Sequence, residues 1–455
     1  MKNHSDMMGQ DVSANCAQVR DDWSATVLAF LAHSAKTPVH LAAVLQRDPG
    51  FALAHAVKGL FCLMLGRREM VAVAQEALVA AQAAALARPV PRREAAFIAA
   101  LAEWLNGSPR GAIVQMETVL ARHPDDALAV KIGHGIRFML GDSTGMRASL
   151  ERVLPAYAPG HAARGYLLGC HAFALEETGD YAAAEAAGRA GLELAPDDAW
   201  GLHAVAHVYD MTGDARGGIG WLTGREQAWA HCNNFRYHVW WHKALLHLDL
   251  GQTDVVLDLY DTQIRADRTD DYRDISNATS LLSRLELEGV KVGARWEELA
   301  DICEKRTEDG CLIFADLHYL LALVGGQRDT AITRMMGRMQ RTAAEGQTEM
   351  AGIAAHPGLA AATGLEAFGE GDFGRAYLHL ARARRALPGI GGSHAQRDVF
   401  ERLTIDAAIR AGYHEDAQTL LAERTALRAG RRDGYAEARH ALLSRAEDAA
   451  RQAAQ

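Results

Sequence analysis

This chain of 455 residues lacks several features that define common protein classes. No two of its six cysteines form a CxxC pair, so they fit scattered reduced thiols better than a zinc ribbon or a redox motif. The N-terminal region has no apolar stretch of the secretory type. No run approaches the roughly 20 uninterrupted apolar residues that a membrane span needs. We therefore expect a cytoplasmic location and no membrane contact.

Positive charge and known catalytic signatures are also scarce. The formal net charge is −9, whereas nucleic-acid-binding domains usually present a basic face, so we predict no nucleic-acid partner. GxSxG, Walker, HExxH and kinase signatures do not occur, and the sequence predicts no particular reaction and no cofactor. Hydrophobic residues make up 49% of the chain, alanine is abundant and β-branched residues are few. This composition favours a globular, helical protein.

Helical segments that end at a glycine recur along the chain, at intervals of 34 to 45 residues. Small residues stand near each glycine on both sides, which lets the two helices of a hairpin approach closely, while the glycine supplies the turn. The pattern predicts an all-α, tetratricopeptide-like α-solenoid of about ten helix-turn-helix units, curved around a concave groove. We expect a loose polar tail over residues 1–20, repeats over 21–425 and a capping helix over 426–455. The turn glycines are Gly66, Gly107, Gly141, Gly179, Gly213, Gly251, Gly289, Gly326, Gly371 and Gly412.

The clearest unit, LLGCHAFALEETGDYAAAEAAGRAGLELAPDD, resembles a tetratricopeptide repeat. Five further motifs occur in order: HAVAHVYDMTG, HVWWHKALLHLDLG, SNATSLLSRLELEG, FADLHYLLALVG and GIGGSHAQRDVF. Together they resemble the tetratricopeptide repeat protein 38 family, also grouped as StaR-like proteins, over roughly residues 20–430. The resemblance implies an α-helical repeat fold but no established reaction. Ser283 stands where family members tend to have tryptophan.

Polar and aromatic side chains concentrate in the first helices of four central units. In the repeat family, the second, fifth, sixth and ninth positions of the first helix face a ligand. With each turn glycine as position fifteen, two HxxxH pairs and several other polar residues take such positions or lie beside them. The predicted groove residues are His203, His207, His238, Trp241, His242, Ser283, Asp316 and His318.

A second group of functional side chains follows the glycines of the segment GGSHAQRD, residues 391–398. Ser393 can cap the next helix while backbone N–H groups bind an anion. Arg397 can make a bidentate contact with a carboxylate or phosphate, and His394 and Gln396 complete the predicted ligand-binding set. We expect this loop to close over the groove. The alternative is a plain helix cap with a surface ion pair.

Each HxxxH pair offers two nitrogens from one helix face, and Asp316 or His318 could complete a tetrahedral metal site. No glutamate lies inside either pair to act as a general base, so a metalloprotease is excluded, and we assign no metal ligands. A metal-free pocket is preferred, in which histidines act as hydrogen-bond partners or as acid and base. The catalytic candidates are His203, His207, His238, His242 and His394.

The preferred function is binding of a small anionic ligand or a peptide in a pocket lined by histidine and tryptophan. The alternative is a small-molecule metabolic enzyme that uses the same histidine pocket, with or without a metal. An assembly scaffold that binds through its convex or terminal surfaces is the third reading. Homo-oligomer formation is left open.

Overall fold

The computed structural model describes residues 4–453 of the chain. A short antiparallel strand pair, β1 (His4–Ser5) and β2 (Asp11–Val12), precedes a series of helices. The α-helices are α1 Ala17–Leu31, α2 Thr37–Arg47, α3 Ala52–Met64, α4 Arg68–Ala87, α5 Arg92–Leu105, α6 Pro109–Leu120, α7 Ala127–Met139, α8 Ser143–Val153, α9 Arg164–Glu176, α10 Tyr181–Leu194, α11 Ala199–Met211, α12 Ala215–Leu222, α13 Gln227–Ala230, α14 Phe235–Asp249, α15 Thr253–Leu259, α16 Tyr272–Leu287, α17 Arg295–Cys303, α18 Ile313–Gly325, α19 Asp329–Glu345, α20 Glu349–Ile353, α21 Leu359–Gly369, α22 Phe373–Arg384, α23 His394–Arg410, α24 His414–Leu427 and α25 Gly434–Ala453. Short 3₁₀ or π turns cover Leu154–Ala156, Tyr260–Ile264, Glu304–Arg306, Ala354–Gly358 and Leu387–Ile390.

Nine of the ten predicted turn glycines adopt a left-handed backbone, with φ between 61° and 87°. The exception is Gly326, whose φ is −86°, and the left-handed residue there is Gln327, with φ 55°. Gly326 is needed for a different reason, because a Cβ atom on it would lie 2.4 Å from the Cβ of Ala300. The ten glycine hairpins confirm the predicted repeats, and α1–α2 adds one hairpin before them. The fold is an all-α, tetratricopeptide-like solenoid.

The second half of the chain packs back onto the first half at a regular offset. Five polar contacts join residues 203 to 241 positions apart in the sequence. Since one unit takes 34 to 45 residues, a superhelical turn contains roughly six units, and the next turn stacks on it. The contacts are Arg67–Asp270, Glu69–Arg306, Ser108–Glu349, Glu177–His394 and Asp210–Arg428.

The N-terminal segment differs from the predicted loose tail. Helix α1 begins at Ala17, before the predicted boundary at residue 21, and the side chains of Met8 and Val12 are buried. The backbone N–H and the hydroxyl of Ser13 both donate to the carboxylate of Glu94, at 2.7 Å. That carboxylate is buried and needs donors, so it fixes the segment against α5.

The last helix, α25, begins at Gly434, eight residues after the predicted start of the capping segment. The carboxylate of Asp433 accepts from the backbone N–H of Ala436, which marks the start of the helix. The guanidinium of Arg439 donates to the Leu287 carbonyl and to Asp406. Helix α25 therefore packs beside α16 and α23.

Among the described residues, α4 is long and apolar enough to cross a membrane by length and composition alone, with a mean hydropathy of 1.5 over its most apolar window. A single helix of this kind is weak evidence for a membrane span. Here α4 forms the second helix of a hairpin with α3 and also packs on α5.

Candidate ligand cavity and histidine cluster

A cavity of about 1020 Å³ lies on the face that the first helices of successive hairpins share. Its wall comes mainly from α1, α2, α3, α7, α11, α14 and α16. The start of α23, from the second superhelical turn, covers it. Its size and apolar wall are typical of a small-molecule site. The aromatic lining residues are Phe30, Phe61, Phe138, Phe173, Trp200, Phe235 and Tyr272.

Polar groups are few in this wall, and most of the charged ones are cationic. Four cationic side chains line the cavity, against one carboxylate, that of Asp271. Asp271 already binds Arg273, at 2.6 Å between carboxylate oxygen and guanidinium nitrogen. The cationic lining residues are Lys58, Lys131, Arg236 and Arg273.

Four histidines meet at the floor of the cavity and form what we call the histidine cluster: His203, His207, His238 and His242. The i, i+4 spacing places each pair on one face of its helix, α11 or α14, and these two helices contact each other. His203 and His238 line the cavity, while His207 and His242 lie behind them. The ring centroids of His207 and His242 are 4.2 Å apart. The two predicted pairs therefore form one cluster.

Neighbouring groups hold three of these rings by the Nδ1 atom. Nδ1 of His203 lies 2.7 Å from the carbonyl oxygen of Trp200, and Nδ1 of His238 lies 3.1 Å from Oδ1 of Asn277. Nδ1 of His207 lies 3.4 Å from Oε2 of Glu176, although the two are not aligned as a hydrogen bond.

The cluster contains imidazoles of two electrostatic kinds. Burial lowers the pKa of His238 to about 3, and burial together with the neighbouring imidazoles holds the pKa values of His203 and His242 well below the ordinary value. Burial also opposes the charged form of His207, but Glu176 and then Glu177 outweigh it and raise that pKa. His207 is the basic member of the cluster.

The loop before α23 closes over the cavity, as predicted. Ser393 and Gln396 line the same cavity as His203, and they form a reciprocal capping box at the start of α23. The predicted anion contact of Arg397 is corrected. Its guanidinium donates to the carbonyls of Gly391 and Gly392 and lies 3.4 Å from Glu177.

His394 is likewise bound within the protein instead of facing the cavity. Its backbone N–H donates to Oε1 of Glu177 at 2.8 Å, and its Nε2 lies 2.9 Å from the Glu177 carbonyl oxygen. Burial opposes ionisation of Glu177, but His394 and Arg397 bring the pKa of its carboxyl below the ordinary value. Glu177 therefore ties the loop to the back of the histidine cluster.

Four other predicted groove residues lie outside the cavity wall. Trp241 is buried and stacks on His238, with ring centroids 5.3 Å apart. The Ser283 hydroxyl donates to the Thr279 carbonyl at 3.0 Å, as a serine within a helix commonly does. Their predicted direct contact with a ligand is corrected.

Asp316 and His318 also have other partners. Asp316 forms a buried ion pair with Arg338, with 2.7 Å between Oδ1 and Nη2. His318 holds the Phe314 carbonyl through Nδ1 at 2.7 Å, and its ring packs on Phe400. Neither side chain lines the cavity.

Three residues that the sequence analysis missed belong to the site: Lys131, His134 and Glu176. Lys131 and His134 line the cavity from α7. A signal for Lys131 was present, because counting back from Gly141 places it at the fifth position of its unit, like His203. Glu176 takes position twelve of its unit, which the repeat rule does not assign to a ligand.

No family model matches the chain. It is similar to a chain in the structure of Naa15/Naa10 bound to HypK-THB, at 12% identity, over 89% of this chain and 68% of that one, with a TM-score of 0.26. It is also similar to the TPR domain of P58(IPK), at 13% identity, over 87% of this chain and 99% of that one, with a TM-score of 0.21. These values carry no argument about the site.

Proposed function

We propose that the protein binds a small molecule with an aromatic or other apolar body and an anionic group inside the cavity. The observation that carries this proposal is Lys131, whose side chain is only 5% exposed and lines the cavity. Its Nζ lies 3.5 Å from the Cys170 sulfur and 4.9 Å from the centre of the Trp200 ring. No carboxylate forms an ion pair with Lys131 in the part of the chain that is described. A buried, unpaired cation is costly unless a ligand supplies the negative charge.

A buried carboxylate near Lys131 is a poor substitute for such a ligand. Asp198 caps α11 by accepting from the Gly201 N–H at 3.1 Å. Burial raises the pKa of Asp198 to about 7, although the positive charge of Lys131 acts against the rise. Near neutral pH this carboxyl is therefore only partly ionised, and Lys131 lacks a full countercharge.

The enclosed wall supports a small molecule over a peptide. A peptide-binding groove of this fold is open along the concave face, whereas here Ser393 and Gln396 from the next superhelical turn cover it. A volume of about 1020 Å³ suits a ligand of drug-like size. The ring-rich wall, including Phe173 and Trp200, favours an aromatic body.

The test uses two probes that share a ring system and differ in charge, 2-naphthylacetate and 2-naphthylethanol, titrated calorimetrically into tag-free protein. A hydrogen bond to a charged group contributes about 1.5–3 kcal/mol, so we expect the carboxylate to bind at least about tenfold more tightly. Lys131→Met should remove that difference. Equal affinities of the two probes for the wild type would contradict the proposal.

Lys58→Met is the matched control. Lys58 also lines the cavity, but its side chain is exposed to solvent, where its charge is screened. The preference for the carboxylate should survive this substitution almost unchanged. If Lys58→Met removed the preference and Lys131→Met kept it, the anion would bind at the rim.

An enzyme remains the second candidate because of one observation on His203. Its Nδ1 lies within hydrogen-bond distance of the Trp200 carbonyl, which leaves the Nε2 lone pair as a general base beside the cavity. The test is incubation with a metabolite extract and detection of consumed compounds by mass spectrometry. Consumption by the wild type and not by His203→Ala would favour catalysis.

Membership of the tetratricopeptide repeat protein 38 family stays a prediction. It is supported by the five ordered motifs, two of which, HAVAHVYDMTG and HVWWHKALLHLDLG, supply the histidine cluster.

A further inference from the structure

The four members of the histidine cluster converge on one point. One ring nitrogen from each can be chosen so that all four nitrogens lie within 4.8 Å of one another, and all four side chains are buried. Nε2 of His238 and Nε2 of His242 are 3.1 Å apart. Four nitrogens bound to one zinc ion at about 2.0–2.1 Å in a tetrahedron would stand about 3.3 Å apart. Small side-chain movements would therefore place all four around a single ion.

The outward nitrogens are held as they are in known metal sites. A metal-bound histidine usually donates its other N–H to a carbonyl, an amide or a carboxylate, which fixes the ring and its tautomer. Trp200, Asn277 and Glu176 provide one such acceptor each, and all three face an Nδ1 atom. This arrangement leaves Nε2 of the three rings as the nitrogen available to an ion.

Without an ion, the interior of the cluster is poorly satisfied. Both ring nitrogens of His207 and both carboxylate oxygens of Glu176 are buried and form no hydrogen bond with the described residues. Each such group costs about 1–3 kcal/mol. An ion bound at Nε2 of His207 would use one orphaned lone pair and would strengthen the attraction of its Nδ1–H for Glu176.

We propose that His203, His207, His238 and His242 bind one divalent transition-metal ion, with Zn²⁺ as the expected occupant. Imidazole nitrogens suit Zn²⁺, Cu²⁺, Ni²⁺ and Fe²⁺, whereas Mg²⁺ and Ca²⁺ prefer oxygen ligands. This site does not depend on the anionic ligand proposed for the cavity.

The surrounding charge and the position of the site agree with an ion at this place. Glu176 and Glu177 lie beside His207, with ligand atoms of the three residues within 4.8 Å of one another. Two carboxylates there can balance a divalent charge that would otherwise be costly to bury. Because His203 and His238 line the cavity, the ion would lie at its floor, in reach of a cavity ligand.

The test is competition for Zn²⁺ between a chromophoric chelator and tag-free protein stripped of metal, with stoichiometry measured by native mass spectrometry. We expect one Zn²⁺ per chain. His207→Ala and His242→Ala should each weaken binding at least about 100-fold, the upper end of what loss of a supporting residue alone does. Failure of the wild type to compete, or wild-type affinity in both variants, would overturn the proposal.

His318→Ala is the matched control, since His318 is a buried histidine on α18 that also bonds a backbone carbonyl through Nδ1 but lies outside the cluster. It should bind Zn²⁺ as the wild type does. Circular dichroism of each metal-free variant shows whether it has folded. A loss of binding in His318→Ala equal to that in His242→Ala would overturn the proposal.

Two conservative variants keep the test decisive if an alanine variant does not fold. His242→Cys replaces nitrogen by sulfur, so the Co²⁺-loaded protein should gain a sulfur-to-cobalt charge-transfer band that the wild type lacks. Glu176→Gln should weaken Zn²⁺ binding by about 10–100-fold while one ion still binds, as expected for a positioning residue. A Co²⁺ spectrum identical to that of the wild type in His242→Cys would overturn the proposal.

Discussion

Two clusters of buried polar side chains differ in how far their atoms are satisfied. In the C-terminal cluster, which we define as Asp398, Arg402, Arg424 and Asp433, every buried side-chain nitrogen and oxygen has a partner. Arg424 joins the two carboxylates, with 2.6 Å from its Nε to Oδ1 of Asp398 and 2.9 Å from its Nη1 to Oδ1 of Asp433.

The histidine cluster contains the same kind of buried polar residue but leaves atoms without partners, among them both ring nitrogens of His207. A set that is complete within the chain holds structure together, because each charge has its countercharge in place. A set with orphaned atoms pays for its burial without a return inside the chain. The comparison therefore assigns the C-terminal cluster to stability and the histidine cluster to a ligand.

The largest expected effect is the loss of stability on breaking the complete cluster. Arg424→Met leaves Asp398 and Asp433 buried without their shared cation, and loss of one partner of a buried ion pair typically costs about 3–5 kcal/mol. Urea unfolding followed by circular dichroism measures this as a lower midpoint. Arg328→Ala is the control, since its exposed pairs with Glu297 and Asp301 should contribute less than about 1 kcal/mol. Equal midpoints for the two variants would remove the stabilising role of the C-terminal cluster.

The second effect is stabilisation by Zn²⁺, which should act through the histidine cluster alone. At a free concentration of about 100 times Kd, a ligand that binds only the folded state adds about 2.7 kcal/mol. Thermal unfolding of the wild type and of Arg424→Met should shift upward by similar amounts on adding Zn²⁺. His207→Ala should not shift. A shift in His207→Ala as large as that in the wild type would mean that the metal acts elsewhere.

The repeat architecture could be predicted because its determinants are local. Each hairpin needs one residue with positive φ, and glycine provides it at little cost, so the ladder was readable without a structure. The exception, Gln327, shows that a non-glycine residue can take this conformation when close packing reserves the neighbouring Gly326 for Ala300. The i, i+4 spacing of the histidines was equally local.

The return of the second superhelical turn could not be predicted from local pattern. Contacts such as Glu177–His394, 217 residues apart, depend on the summed curvature of about six units. This long-range packing turned an open groove into a cavity and used Arg397 within the protein. The pairing of Asp316 with Arg338 likewise depends on how α19 lies against α18. Lys131, by contrast, could have been found by applying the same register rule to every unit.

The third effect separates the clusters by pH. Burial favours the neutral form of the Asp433 carboxyl, but Arg424, Arg428 and Arg402 hold its pKa below the ordinary value, and Asp398 has a similarly lowered pKa. Both carboxylates therefore contribute stability above pH 4 that is lost as the pH falls through their folded-state pKa values. The loss is about 1.4 kcal/mol per carboxylate for each pH unit below the unfolded value.

The measurement is the urea midpoint between pH 5 and pH 3, compared between the wild type and Asp433→Asn. The variant should start with a lower midpoint at pH 5, and its midpoint should fall less steeply with acid. If both proteins lose stability in parallel, Asp433 does not supply the acid-sensitive contribution.

The smallest expected effect is the most discriminating one. In metal-free protein, His242→Leu loses one hydrogen bond between imidazoles, which is worth about 0.5–1.5 kcal/mol. It gains a buried apolar side chain of similar size, worth about 1.5–3 kcal/mol. The two nearly cancel, so the unfolding midpoint in the presence of chelator should lie within about 1 kcal/mol of the wild type, while excess Zn²⁺ should stabilise only the wild type. A metal-free cost as large as that of Arg424→Met would show that the histidines hold the fold together, and the distinction between the two clusters would fail.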